Sequence, residues 1–201
     1  MKLLFAIFLV VVSSSVNAQS VKYFDEKGIE FSKKEYQSKA KSKDLLEVSE
    51  NSFTKRLSVR EEIGQVSDIN LLYKTVSDIS GQKVDTTKPL VIIYYPGKDN
   101  CNSSGSSNKD WTRNWYSDLE NGIKKVVDVK PYYISKDNKG LKGTEGIVDW
   151  KKDNGTIETQ FFKYHYPCCS FVVIAPDGRY MSYFGEFPKE YVWEATRRMS
   201  K

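Results

Sequence analysis

The sequence predicts an α/β fold, a mixed central sheet flanked by helices and preceded by an N-terminal α+β extension, on three observations. Leu90 to Tyr95, LVIIYY, is an unbroken apolar run, as a strand covered on both faces requires. Trp111, Trp115, Leu119 and Ile123 recur every fourth residue, with Val126 continuing the stripe, which is the period of a helix face. Ser170 to Ala175 and Arg179 to Phe184 flank Pro176, Asp177 and Gly178, the order of a β-hairpin.

The first residues read as an address. Lys2, the apolar core LLFAIFLVVV and the small-x-small ending Val16, Asn17, Ala18 suit a secretory signal peptide over residues 1–18, cleaved after Ala18. The apolar core is too short to span a bilayer, so no stable membrane insertion is expected after cleavage. The product is an exported chain, periplasmic or secreted, of about 180 residues, enough for one domain with a proper core.

Residues 19–84 form the N-terminal extension. Val21 to Phe31 is two short β-type runs around Glu26, Lys27 and Gly28, a hairpin pattern. Ser32 with Glu35 makes a capping box for a short helix to about Ala40. Leu45 to Val66 alternates, most clearly in LSVREEI, as exposed strands do. Asp68 then opens a stretch with Ile69, Leu71, Leu72, Val76 and Ile79 on one helical face, and Gly81 stops it. This segment holds no clustered nucleophile, base or metal ligand, so its expected role is structural or in docking.

Residues 85–201 form the main domain, entered through DTTKP. Pro96 and Gly97 end the apolar strand, and Cys101 follows at its C-terminal end, where open α/β sheets place their chemistry. NSSGSSNKD is flexible by composition. The tryptophans after it fit a buried stripe better than a ligand platform. A second strand is expected over Pro131 to Ile134, a polar loop or insertion over Asp137 to Gly155, and a helix over Thr156 to His165. After the hairpin, Pro188 starts a final amphipathic helix.

Composition narrows the function. The formal net charge is +5, and becomes +4 once Lys2 is removed. Acids are interspersed among the lysines, and no basic stripe carries interleaved aromatics, which disfavours nucleic acid. No Ser-His-Asp constellation, phosphate loop or dinucleotide fingerprint is present, so no cofactor is expected. The chain has 3 cysteines and 1 histidine, His165. Without paired cysteine doublets that set is poor for zinc, and no metal is expected. An odd cysteine count in an exported chain allows one bridge and one thiol left over.

Residues 88 to about 200 resemble the thioredoxin-like superfamily, especially its exported, envelope-facing branch with an N-terminal extension. KPLVIIYYPGKDNC looks like that fold's first domain strand leading to its redox motif, and SFVVIAPDGRYMSYFGEF is similar to its strand, turn and strand. The resemblance implies thiol-disulfide exchange, in which one thiolate attacks a disulfide and a second resolves the mixed disulfide. The motif departs from CxxC: Cys101 begins CNSS, putting Ser104 at the resolving position, and in the other register Lys98 replaces the nucleophile. The family's cis-proline landmark falls in YPCCSF, with Cys169 or Cys168 nearer its position than Pro167.

In that fold the two loops are adjacent, which implies that Cys101 pairs with Cys169, the favoured partner, or with Cys168. With Cys169 taken, Cys168 is a free thiol beside the bridge, and a nearby protonated His165 favours its thiolate. A bridge between neighbouring Cys168 and Cys169 needs a strained backbone. YYPGKDNC is also similar to the segment before the peroxidatic cysteine of peroxiredoxins, but Lys98 stands at the threonine position and no arginine closely precedes Ser170.

Two expectations follow. One is an exported thioredoxin-like oxidoreductase using Cys101 with Cys169 or Cys168. The other is a redox-silent module with a structural disulfide, binding a protein or peptide through the aromatics Tyr164, Tyr166 and Tyr183 together with the extension.

Overall fold

The computed structural model describes residues 20–102 and 108–201. The expected signal peptide, its expected cleavage site after Ala18, and Ser104 lie outside them. Among the described residues no helix is long and apolar enough to cross a membrane.

The fold is mixed α/β. Strands β1 (Lys22–Phe24) and β2 (Glu30–Phe31) form the N-terminal hairpin, and helix α1 (Lys33–Lys39) follows. Ser32 caps it in a full capping box with Glu35, whose side chain returns a bond to the Ser32 amide. Strands β3 (Leu45–Asn51) and β4 (Thr54–Val59) complete a four-stranded sheet of order β2-β1-β4-β3, with β1 parallel to β4 and the other pairs antiparallel.

The larger sheet has six strands. Strand β5 (Glu61–Gln65), helix α2 (Ile69–Ser80), β6 (Leu90–Tyr95), α3 (Lys109–Val126), β7 (Tyr132–Ser135), β8 (Lys151–Lys152), α4 (Thr156–Phe161), β9 (Ser170–Ile174), β10 (Arg179–Tyr183) and α5 (Lys189–Met199) follow in sequence. The strand order is β5-β10-β9-β6-β7-β8, parallel from β6 to β8 and antiparallel from β6 to β5. Strand β5 and α2 precede residue 85, yet β5 forms one edge of this sheet. The expected polar insertion contributes the other edge, β8.

Strand β6 sits inside the sheet with all six side chains buried, which explains its unbroken apolar run. Its residues alternate between two cores. Leu90, Ile92 and Tyr94 join α2, α4 and β3 on one face, while Val91 and Ile93 join α3 and α5 on the other. Full burial of such side chains contributes about 1.5–3 kcal/mol each. Strand β6 is thereby a fixed base, and whatever leaves its C-terminal end starts from a defined point. Helix α2 begins at Asp68, which caps the Leu71 amide, and ends at Gly81 in the left-handed conformation.

Candidate functional site

Pro96 and Gly97 turn the chain off β6 into a loop braced by its own side chains. Asp99 Oδ1 accepts from the amides of Cys101 at 2.8 Å and Asn102 at 2.9 Å. Asn102 returns the contact, its Oδ1 accepting from the Asp99 amide at 2.9 Å and its Nδ2 donating to the Gly97 carbonyl at 2.9 Å. Short polar side chains bond neighbouring backbone in this way, and here they hold Cys101 between them.

The second loop runs from the end of α4 to β9. The Cys168 amide donates to Asp99 Oδ2 at 2.9 Å, and His165 Nε2 lies 3.2 Å from the same oxygen. Asn102 Nδ2 reaches the Cys168 carbonyl at 3.5 Å. Asp99 thus ties both loops together, with its own side chain only 14% exposed. Across this clamp Cys101 and Cys168 form a disulfide with a Cα–Cα distance of 5.2 Å, closing 67 residues of sequence separation.

The bridge falls on Cys168, not on the favoured partner Cys169. Side chains alternate along a strand, and Cys169 has the parity of Phe171 and Val173, so all three face the α3/α5 core. Cys168, at φ +67, is the one non-glycine residue of positive φ among the described residues. This left-handed turn costs about 1–2 kcal/mol for an L-residue. Cys101 is exposed and Cys168 half-buried, so the bridge meets solvent.

Cys169 stays a free thiol. Burial, with a smaller contribution from the Asp99 carboxylate, pushes its pKa up to about 12. That shift disfavours the thiolate at neutral pH, and Cys169 is half-buried and unbridged. The expected assistance of His165 to a free Cys168 also falls away, since Cys168 is bridged and His165 contacts Asp99. Pro167 has a trans peptide bond, because no cis bond occurs among the described residues.

A cleft of about 830 Å³ opens beside the bridge, walled by Tyr95, Trp111, Trp115, Tyr116, Trp150 and Phe187, with Lys98 and Lys109 at its margin. Trp111 departs from the buried stripe expected of it. It lies in the first turn of α3 and is 61% exposed, while Leu119 and Ile123, further along the same face, are fully buried. Of the three aromatics expected on a binding surface, Tyr166 is buried and stacks on Phe184, Tyr164 is half-buried under the Arg56 guanidinium, and Tyr183, also half-buried, stacks on Phe171 over the opposite core.

Asp99 and Asn102 were missed in the sequence, although D-x-x-N beside a turn is a spacing that permits reciprocal side-chain bonding. Glu186 was also missed. Gly185, at φ +77, places it after β10, and its carboxylate comes within 4.8 Å of both bridge sulfurs. No protein-family model matches the chain, and no curated protein matches it.

Proposed function

We infer that this chain is an exported thioredoxin-like protein acting in thiol-disulfide exchange through Cys101 and Cys168. The observation that carries the reading is a solvent-facing disulfide just past the C-terminal end of the central strand, opening onto an aromatic cleft. The order from β6 to α5, with helices between parallel strands and then a hairpin, supports the fold assignment. In the exchange, a partner thiolate attacks the Sγ of Cys101, the more exposed of the two residues, and Cys168 leaves as thiolate. The partner's second thiolate then attacks the mixed disulfide and frees Cys101. The partner dithiol becomes a disulfide and the protein gains two electrons and two protons. The cleft's aromatic walls suit apolar side chains beside the partner's cysteine.

A second reading is favoured by the Asp99 clamp. It joins the same two loops without the bridge, as expected of a redox-silent binding module whose disulfide is a staple. A bridge closing a loop of this length contributes about 4 kcal/mol on the chain-entropy account.

The test is mass mapping of alkylated protein equilibrated across a graded thiol buffer. Opening of the Cys101–Cys168 bridge between about −120 and −270 mV, the span of exchange catalysts, is the expected result. Resistance to reduction below about −300 mV assigns the bridge a structural role and leaves the binding module.

A further inference from the structure

Opened, the bridge leaves two sulfurs and a carboxylate facing one point. Ligand atoms of Cys101, Cys168 and Glu186 all lie within 4.8 Å of one another. We propose that the reduced protein binds one zinc-type divalent cation through Cys101, Cys168 and Glu186, a site that the disulfide closes.

Three features support it. First, the two cysteines keep their spacing without the bond between them, because Asp99 holds the amides of both. Tetrahedral zinc with bonds of about 2.3 Å sets its two sulfurs about 3.7 Å apart, a separation that facing cysteines reach by side-chain rotation alone. Second, Glu186 is carried on a fixed backbone. The Gly185 amide donates at 3.1 Å to Ser170 Oγ, and Ser170 is buried, so the residue before Glu186 is pinned two residues beyond Cys168. Third, the donor set has a preference. Two thiolates select zinc or copper(I), and the carboxylate, a hard ligand, moves the choice to zinc. Three protein ligands leave a fourth position for water or a partner's side chain, as in open zinc sites.

The spacing of the cysteines in sequence concealed this set, since its members come from three separate loops. The Asp99 clamp plays the part that outer hydrogen bonds play at metal sites, orienting ligands without touching the ion. Binding requires the dithiol. A phosphine reductant with water converts the bridge to two thiols and a phosphine oxide, and zinc then displaces two protons from the thiols.

The experiment is a titration of phosphine-reduced protein with zinc chloride by calorimetry and native mass spectrometry, with cobalt(II) as a spectroscopic substitute. The expected result is one ion per chain, release of two protons, and a thiolate-to-cobalt charge-transfer band, all absent from the oxidised protein. Glu186→Gln, an exposed change that leaves the fold intact, should weaken binding at least about ten-fold, the lower end of what an outer-ligand loss costs. Cys169→Ala should bind as the parent does. Failure of the reduced protein to take up one ion overturns the proposal. So does equal binding by the oxidised protein, by Cys101→Ser or by Glu186→Gln. Because the bridge is opened chemically, the outcome is independent of its potential and separable from failure of the exchange reading.

Discussion

The Cys168 amide donates a 2.9 Å hydrogen bond to Asp99 Oδ2, so the loop bearing one half of the disulfide is held by a carboxylate from the loop bearing the other. Since Asp99 also receives the Cys101 amide, the covalent bridge and the polar clamp restrain the same pair of segments. Their contributions are separable by mutation.

Asp99→Ala leaves the amides of Cys101, Asn102 and Cys168 without their acceptor. Bonds to a charged group contribute about 1.5–3 kcal/mol each, and partial access to water offsets some of the loss. The expected destabilisation is about 2–4 kcal/mol, read as a lower urea midpoint at unchanged slope. A change under about 0.5 kcal/mol would mean that the disulfide alone orders the loops.

Position 168 separates bond from backbone. Cys168→Ser and Cys168→Gly both abolish the bridge, but glycine adopts the positive φ of this position without the side-chain penalty. The glycine variant should be more stable than the serine variant by about 1 kcal/mol, measured by parallel denaturation of the two proteins. Equal stabilities would show that the left-handed turn is held only by the bridge and relaxes when it is gone.

The pKa of Cys169, raised by burial from an ordinary 9.0 to about 12, makes two measurable statements. In native protein at pH 8 it should resist iodoacetamide and become labelled only on unfolding. Between about pH 9 and 12 the unfolded chain gives up this proton and the folded chain keeps it, so stability falls as pH rises. The slope from this group approaches about 1.4 kcal/mol per pH unit. Buried tyrosines such as Tyr95, also pushed up to about 12, act in the same direction at higher pH. Cys169→Ala should therefore remove the earliest part of the alkaline decline, and an unchanged profile from pH 9 to 10 would contradict the assignment.

What could be read from the sequence was what is local. The apolar run of β6, the Ser32 and Glu35 box, and the Asp68 to Gly81 helix depend on residues a few places apart, and each element appears as expected, except that Leu71, placed with the apolar face of that helix by its spacing, is exposed. The choice between Cys168 and Cys169 was also written there, in the parity that Cys169 shares with Phe171 and Val173, but it needed the strand start to be known. Strand β8 is two lysines with no apolar signature, held by pairing with β7. Asp99 is unremarkable by composition and acquires its place only when residues 69 positions apart meet. Trp111 matched the stripe by spacing, yet it belongs to the first helical turn, beside the cleft at the cysteine loops.

Packing between α3 and α5 supplies a last test that is independent of any reading of the cysteines. Glycine inside a helix ordinarily costs about 1 kcal/mol relative to alanine, so Gly122→Ala should stabilise α3 if propensity alone decided. At this position a Cβ would fall on the Trp193 indole of α5. The indole has little room to retreat, since its Nε1 donates a 3.0 Å bond to the Leu119 carbonyl one turn before the glycine. Overpacking of this kind costs about 1–3 kcal/mol, which exceeds the propensity gain. Gly122→Ala alone is therefore expected to destabilise, whereas the same change made in a Trp193→Ala background should stabilise by about 0.5–1 kcal/mol. That reversal of sign, measured as a double-mutant cycle in urea, distinguishes a steric conflict from a general intolerance of α3 to substitution. The same sign in both backgrounds would mean that the helix pair is not held at this separation.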